Sequence, residues 1–201
     1  DRVEIIRGGA STIYGEGAAA GVINIITKEA SRKPLASSFS FSGGNHGYYD
    51  GHIELSGTQK GISYRFNADR EEWAGWRDGA NFRSWNLGAR FAKTLPVGKL
   101  SLSYSFHTQY SENPSTLTTA QFLANPRQVG ATQFTFENDV HRVNLGYRKA
   151  IESGWNLGAN FHAQSYDTTS TGFGLVSTEQ PSIGFVAQAS REDEIFAREN
   201  N

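Results

Sequence analysis

Residues 1–28 read DRVEIIRGGASTIYGEGAAAGVINIITK. The stretch begins with a segment that mixes acidic and apolar residues and ends in Arg7-Gly8. A turn of small residues with Tyr14-Gly15 follows, and a Gly and Ala run then leads into the apolar segment 22–26. The glycines do not form a dinucleotide-binding loop, because a strand-like segment follows them where that loop requires a helix. The small residues instead indicate close packing of backbones.

This order of segments resembles the end of the plug domain of TonB-dependent outer-membrane receptors. The family pattern has an Arg-Gly turn, a Tyr-Gly turn, a Gly and Ala run and then Gly-Val-Ile-Asn-Ile-Ile-Thr, and residues 1–28 contain every part of it. We assign the following positions to the plug motif: Arg7, Gly8, Tyr14, Gly15, Gly17, Gly21 and Asn24. The resemblance implies a plugged outer-membrane barrel. For Arg7 it implies either an ion pair that holds the plug to the barrel wall or a solvated charge in a wet lumen.

The composition favours an all-β chain. Phe, Tyr and Trp make up 12% of the 201 residues and there are 22 Gly, which favour strands and tight turns respectively. No apolar run approaches the roughly 18 residues that a membrane-spanning helix needs. The net charge is −1 and the basic residues form no block, so nucleic acid is not an expected partner.

Beyond Pro34 the apolar residues recur at every second position, which is typical of strands with one apolar and one polar face. Eight segments follow this pattern, at 38–42, 52–56, 62–69, 84–91, 100–107, 143–148, 155–164 and 183–190. The last of them is the weakest. We therefore predict an all-β fold, with about eight strands of a larger antiparallel transmembrane β-barrel preceded by the C-terminal part of a plug domain.

The predicted connections alternate in length. Those at 58–61, 96–98 and 151–154 are short, whereas those at 71–81, 111–133 and 168–182 are long. Outer-membrane barrels have short periplasmic turns and longer extracellular loops, so this asymmetry independently predicts such a barrel. The first hairpin, around 45–47, departs from the pattern because its outer connection is short.

We divide the chain into residues 1–34, the C-terminal part of the plug and its linker, and residues 35–201, the N-terminal part of the barrel. A plugged lumen belongs to barrels of about 22 strands, whereas eight strands enclose only side chains. The charged segment 191–201 does not resemble a closing strand. We therefore expect the chain to be a fragment of a longer receptor.

The predicted long loops carry the candidate ligand-binding residues, which are Trp73, Trp76, Arg77, Tyr110 and Arg127. The two tryptophans are expected to join the aromatic girdle at the outer membrane interface, or else to line a ligand vestibule in which Arg77 attracts an anionic chelate. Residues 117–129 are expected to begin as a helix that Pro126 ends. That segment resembles a loop of ferric siderophore receptors, or it is a folded lid without ligand contact.

The five histidines, at positions 46, 52, 107, 141 and 162, form no cluster with metal-ligand spacing. Three of them, His52, His107 and His162, fall on the polar face with Ser and Asn. No nucleophile, base and orienting group stand in a catalytic arrangement. We therefore predict no metal site, no cofactor and no enzymatic activity.

These features together predict a receptor of the bacterial outer membrane that imports a nutrient chelate, with a ferric siderophore as the favoured ligand. The expected partners are outer-membrane lipid, the ligand and the energy-coupling protein TonB, which in this family contacts a segment before the plug. The alternatives are a passive porin or structural barrel, TonB-dependent uptake of cobalamin, haem or oligosaccharide, and a soluble β-sandwich.

Overall fold

The computed structural model describes residues 2–8, 21–26, 28–151, 154–191, 193–195 and 198–200. Eight long strands dominate it: β3 (Ala36–Gly43), β4 (Tyr49–Gln59), β5 (Ile62–Trp73), β6 (Phe82–Leu95), β7 (Gly98–Asn113), β8 (Phe134–Ala150), β9 (Trp155–Thr171) and β10 (Val176–Arg191). One short helix, α1 (Thr119–Ala124), lies between β7 and β8. In the part of the chain that is described, no helix is long and apolar enough to cross a membrane.

Two small hairpins flank the long strands. The first pairs β1 (Arg2–Arg7) with β2 (Gly21–Ile26) in the predicted plug segment, with Arg7 opposite Gly21. Asn24 of the motif pairs with Glu4, and Gly8 follows the end of β1. Tyr14, Gly15 and Gly17 lie outside the described residues. The second hairpin pairs β11 (Asp193–Ile195) with β12 (Arg198–Asn200).

The eight long strands form one antiparallel sheet in which spatial order follows chain order, from β3 at one edge to β10 at the other. This confirms the predicted antiparallel β fold. In the described ranges β3 pairs only with β4 and β10 pairs only with β9, so closure into a barrel is not seen. The two packed sheets of a β-sandwich are not seen in these ranges either.

One face of the sheet is apolar across six neighbouring strands. The register joins Tyr64, Phe91, Leu102, Leu145, Phe161 and Phe185 in one row that runs from β5 to β10. The last five of these side chains are between 41% and 69% exposed, whereas Val140 is buried at 3% exposure. A continuous exposed apolar row of this extent marks a face that contacts a membrane or another apolar surface.

The opposite face is polar across the same six strands. A row three residues along each strand from the apolar row consists of Asn67, Gly88, Ser105, Arg142, Gln164 and Ser182. His52 contacts Asp69 on this face, and the Nδ1 atom of His107 lies 2.7 Å from the Oδ1 atom of Asn86. The predicted alternation is therefore present, and we name the two sides the apolar face and the polar face.

Two of the three connections predicted to be short at one end of the sheet are described and are as tight as predicted, whereas the third, 151–154, includes residues 152–153, which lie outside the described residues. Lys60 and Gly61 form a two-residue turn in which both φ angles are positive, 50° and 75°. This is the geometry of a type I′ turn, whose backbone twist matches that of the flanking strands. Residues 96–97 form a similarly short connection between β6 and β7.

At the other end, one predicted loop is wrong. The segment 168–182 was expected to be a long loop, but β9 continues to Thr171 and β10 begins at Val176, so the connection has only residues 172–175. The Ser and Thr residues of this segment pair across the two strands, Thr168 with Thr178 and Thr169 with Ser177. Threonine favours strands, and the segment was mistaken for a loop because neither of its faces is apolar.

We predict that an arginine on the apolar face will prevent assembly, whereas one on the polar face will be tolerated. Phe161→Arg places a charge in the middle of the apolar row, at a cost of roughly 2–4 kcal/mol if that row faces the centre of a bilayer. His162→Arg, at the next position on the polar face, is the matched control. The measurement is the amount of heat-modifiable receptor in outer-membrane fractions. Equal loss in both variants would contradict the assignment of the faces.

Candidate functional site

At the long-connection end of the sheet, Trp76, Arg77 and Arg127 lie in loops, whereas Trp73 and Tyr110 lie near the ends of β5 and β7. Three successive connections, 44–48, 74–81 and 114–133, lie at this end because the strands alternate in direction. The first is joined to the second by a bond from the Ala74 N–H to the His46 carbonyl, 2.8 Å long. We call residues 74–81 and 114–133 the loop unit, because several further bonds join these two connections.

Arg77 makes the strongest of these links. Its Nη1 atom donates to the Ser115 carbonyl at 2.7 Å, and its Nη2 atom donates to the carbonyls of Gln128 at 2.9 Å and Pro114 at 3.3 Å. The Asp78 N–H donates to the Arg127 carbonyl at 2.8 Å, which adds a second link beside it. The guanidinium of Arg77 thus fixes one loop to the other, a role that the sequence did not reveal.

The loop unit contains the predicted helix. α1 begins after Thr118, whose hydroxyl accepts from the Gln121 N–H at 3.3 Å, while the Gln121 side chain accepts from the Thr118 N–H at 2.9 Å. This reciprocal capping box is visible in the sequence as Thr-x-x-Gln. The helix stops at Asn125, directly before Pro126, as predicted. Its Phe122 and Leu123 side chains are 55% and 78% exposed.

The two tryptophans have different positions. Trp73 is the last residue of β5 and contacts Phe82 edge-on, with ring centroids 6.1 Å apart. The register places both on the polar face, so the expected place of Trp73 in the aromatic girdle is wrong. Trp85 instead lies on the apolar face towards this end, where the Arg70 guanidinium covers its ring at 5.0 Å. Trp76 lies in the loop unit and is 49% exposed.

Tyr110 belongs to a different group of contacts from Arg77. Its hydroxyl donates to the Oε1 atom of Glu112 at 2.7 Å, and the Arg83 guanidinium lies over its ring at 4.4 Å. These residues line a cavity of about 330 Å³ together with Trp73 and Glu72. The cavity contains two carboxylates and one guanidinium, so its charge does not favour an anion.

Arg127 remains as the exposed cation of the five candidates. Its backbone is fixed by the bond from Asp78 and by its own N–H, which donates to the Oδ1 atom of Asn125 at 3.0 Å. The side chain is exposed to solvent. The structure thus brings Trp76, Arg77 and Arg127 together in the loop unit, and it places Trp73 and Tyr110 in the neighbouring cavity.

We predict that Arg77→Ala will loosen the loop unit, because a hydrogen bond from a charged group contributes roughly 1.5–3 kcal/mol. The amide protons of Asp78 and Gly130 then exchange with solvent at least about tenfold faster. Hydrogen exchange followed by mass spectrometry checks this result. Arg127→Ala is the control with an exposed side chain, and equal acceleration in both variants would show that Arg77 is not the link.

The amino-acid sequence of the chain is similar to parts of known bacterial receptors. No family model matches the chain. The ferric enterobactin receptor of Pseudomonas aeruginosa is 29% identical over 193 residues, which cover 84% of this chain and 26% of that receptor. The metal-pseudopaline receptor CntO of P. aeruginosa strain UCBPP-PA14 is 30% identical over 135 residues, which cover 64% of this chain and 16% of that receptor. The chain thus spans about a quarter or less of the length of these relatives.

The fold of the chain also matches the fold of part of an outer-membrane receptor. The pyoverdine outer membrane receptor FpvA from P. aeruginosa PAO1, solved with pyoverdine bound, superposes with a TM-score of 0.77 over 99% of this chain and 33% of its own. Sequence identity in that superposition is 14%, so it is evidence for the fold alone. The antiparallel sheet corresponds to the barrel region of such receptors. The chain is thus similar in sequence to part of a ferric enterobactin receptor and a metal-pseudopaline receptor, and similar in fold to the barrel region of an outer-membrane receptor.

Proposed function

We propose that the receptor containing this chain imports a ferric siderophore across the outer membrane, with energy supplied through TonB. The sequence similarity to a ferric enterobactin receptor and to a metal-pseudopaline receptor supports a metal chelate as the ligand. In this proposal residues 1–34 are the end of the plug and its linker, and residues 35–201 are the first strands of the barrel. The polar face lines the lumen and the apolar face contacts lipid.

The single observation that carries the proposal is the combination of a plug-like hairpin with a sheet that has an uncovered apolar row. A passive porin has no need of the plug motif, and a soluble module has no need of the apolar row. The loop unit supports capture of the ligand at the outer rim, because it holds Trp76, Phe122 and Arg127 exposed on a fixed backbone. Aromatic and cationic side chains together suit a chelate that is both apolar and anionic.

We predict TonB-dependent uptake of a ferric siderophore by iron-starved cells that carry the full-length receptor. The measurement is accumulation of radioactive iron from ferric enterobactin, ferric pyoverdine and an iron complex of pseudopaline, with and without functional TonB. Uptake that ignores TonB would support a passive pore instead. If none of these chelates enters, a different ligand class has to be assigned.

We also predict that Trp76→Ala combined with Arg127→Ala will weaken binding of the imported chelate by about tenfold or more, since a central aromatic or arginine contact contributes at least about 1–2 kcal/mol. The measurement is equilibrium binding to cells that lack TonB, where transport does not contribute. Phe173→Ala, in the separate connection 172–175, is the control because Phe173 is also aromatic and is 91% exposed. Equal losses in the two variants would remove the loop unit as the capture site.

A further inference from the structure

The apolar face becomes polar near the long-connection end of the sheet. On β7, Phe106 is followed on this face by Thr108 and then by Tyr110. The register assigns six side chains of this polar part to the same face as the apolar row, on strands β4 to β7: Tyr49, Arg70, Glu72, Arg83, Tyr110 and Glu112. Together with Asn81, which bonds to Glu112, we call them the rim network.

Glu72 is the centre of one half of the rim network. Its Oε2 atom accepts from the Tyr49 hydroxyl at 2.6 Å and also from the Nη2 atom of Arg70. The Arg70 guanidinium lies over the Trp85 ring, 5.0 Å from its centroid. Both bonds that the described residues make to Glu72 end on Oε2, so the Oε1 atom can accept from a further donor.

Glu112 is the centre of the other half. Its Oε1 atom accepts from the Tyr110 hydroxyl at 2.7 Å, and its Oε2 atom accepts from the Nδ2 atom of Asn81 at 2.5 Å. Arg83 lies directly opposite both Glu72 and Tyr110 in the register, with its guanidinium 4.4 Å from the centroid of the Tyr110 ring. The exposed Arg83 side chain therefore lies between the two halves.

The cavity of about 330 Å³ is built largely from this network. Five of its lining residues are members: Glu72, Asn81, Arg83, Tyr110 and Glu112. Trp73 and Phe82 add two further aromatic residues to the lining, and Gly47 and Ala74 belong to the connections next to it. Its volume is at the lower end of the range of ligand pockets, which suits a single small ring. We call it the rim cavity.

The lining of the rim cavity has the chemistry that recognises a sugar ring. A pyranose has apolar C–H faces, which pack against aromatic rings, and an edge of hydroxyl groups that both donate and accept hydrogen bonds. The carboxylates of Glu72 and Glu112 accept such bonds, and the guanidinium of Arg83 donates them. An acyl chain in the same place would remove these charged groups from water without replacing their hydrogen bonds.

The position of the rim network decides where the sugar comes from. The longer connections of an outer-membrane barrel are extracellular, and aromatic residues such as Trp85 mark the level at which the apolar band ends. The outer leaflet of a Gram-negative outer membrane consists of glycolipids, whose headgroups are sugars. The rim network continues the apolar face towards this end, so it lies on the lipid side of the wall at the level of those headgroups.

We propose that the rim cavity binds a sugar ring in the headgroup of an outer-leaflet glycolipid, whose acyl chains lie against the apolar row. This role goes beyond import of a chelate and shares with it only the outer-membrane location. Gly47 and Ala74 line the cavity, and the Ala74 N–H donates to the His46 carbonyl at 2.8 Å. A bound headgroup therefore contacts the place where the first two extracellular connections are joined.

The experiment compares three variants of the full-length receptor, each first shown to be heat-modifiable and hence folded. Arg83→Gln with Glu112→Gln removes the charged hydrogen-bonding groups, whereas Ala74→Leu fills part of the cavity and keeps them. Arg142→Gln is the matched control, because Arg142 lies on the polar face of β8, where it donates to Gln164 at 2.7 Å. The probe is lipopolysaccharide with a short sugar core, added to receptor in an amine-oxide detergent that has no sugar headgroup.

We expect the double Gln variant and Ala74→Leu each to bind this lipopolysaccharide about tenfold more weakly than the wild type, as measured by native mass spectrometry. Loss of a hydrogen bond to a charged group is sufficient for such a change. The Arg142→Gln control should bind it unchanged, and phosphatidylglycerol, an anionic lipid without a sugar ring, should bind equally to all four proteins.

Unchanged lipopolysaccharide binding in the folded double Gln variant would overturn the proposal. An equal loss of phosphatidylglycerol binding would also overturn it, since the variant would then have lost lipid contact in general. Free core oligosaccharide that binds as tightly as the intact lipopolysaccharide would assign the cavity to a soluble sugar instead. These readouts need no transport, so if the receptor imports none of the tested chelates while the lipopolysaccharide effect is present, the import function fails and the glycolipid site stands.

Discussion

The ladder of hydrogen bonds between neighbouring strands is the interaction on which the rest of the structure depends. A strand whose apolar side chains face lipid has no water with which to pair its backbone, so its N–H and C=O groups must bond to the next strand. The register from β3 to β10 satisfies this condition for six strands on both sides and for the two edge strands on one side. The same register decides which side chains share a row, and so it creates both the apolar face and the polar face.

The sequence predicted most of the sheet, because a period of two is a direct consequence of strand geometry. Near the strand ends, beyond the apolar row, the alternation of apolar and polar residues disappears. Thr168 and Thr169 are paired in β9, yet they show no alternation because neither face of the strand is apolar there. For the same reason β5 and β7 extend to Trp73 and Asn113, each three residues into the predicted loops at 71–81 and 111–133. The helix was predictable, since Thr118, Gln121 and Pro126 are local signals.

The functional groups were predictable only as residue types. Arg77 is of a residue type that commonly binds anions, but its guanidinium donates to the carbonyls of residues 114, 115 and 128. No local sequence pattern indicates these contacts. Conversely, Arg65 lies opposite Arg90 and Lys99 lies opposite Arg148 only through cross-strand pairing, which no local pattern shows. Side chains that meet over long separations in the sequence need the register before their chemistry can be inferred.

Agreement between spatial order and chain order also bears on how such a sheet assembles. Every long strand after β3 pairs with the one before it, and most are joined by connections of only a few residues. Each new strand can therefore pair with a strand that is already in place by closing a short loop, so the loop-closure entropy lost at each step is small. A chain delivered to a membrane from one end can add hairpins one after another, with the growing edge as the only site open to the next strand. In such a pathway the slow and hazardous step is the final pairing of the two edges, which are far apart in the sequence.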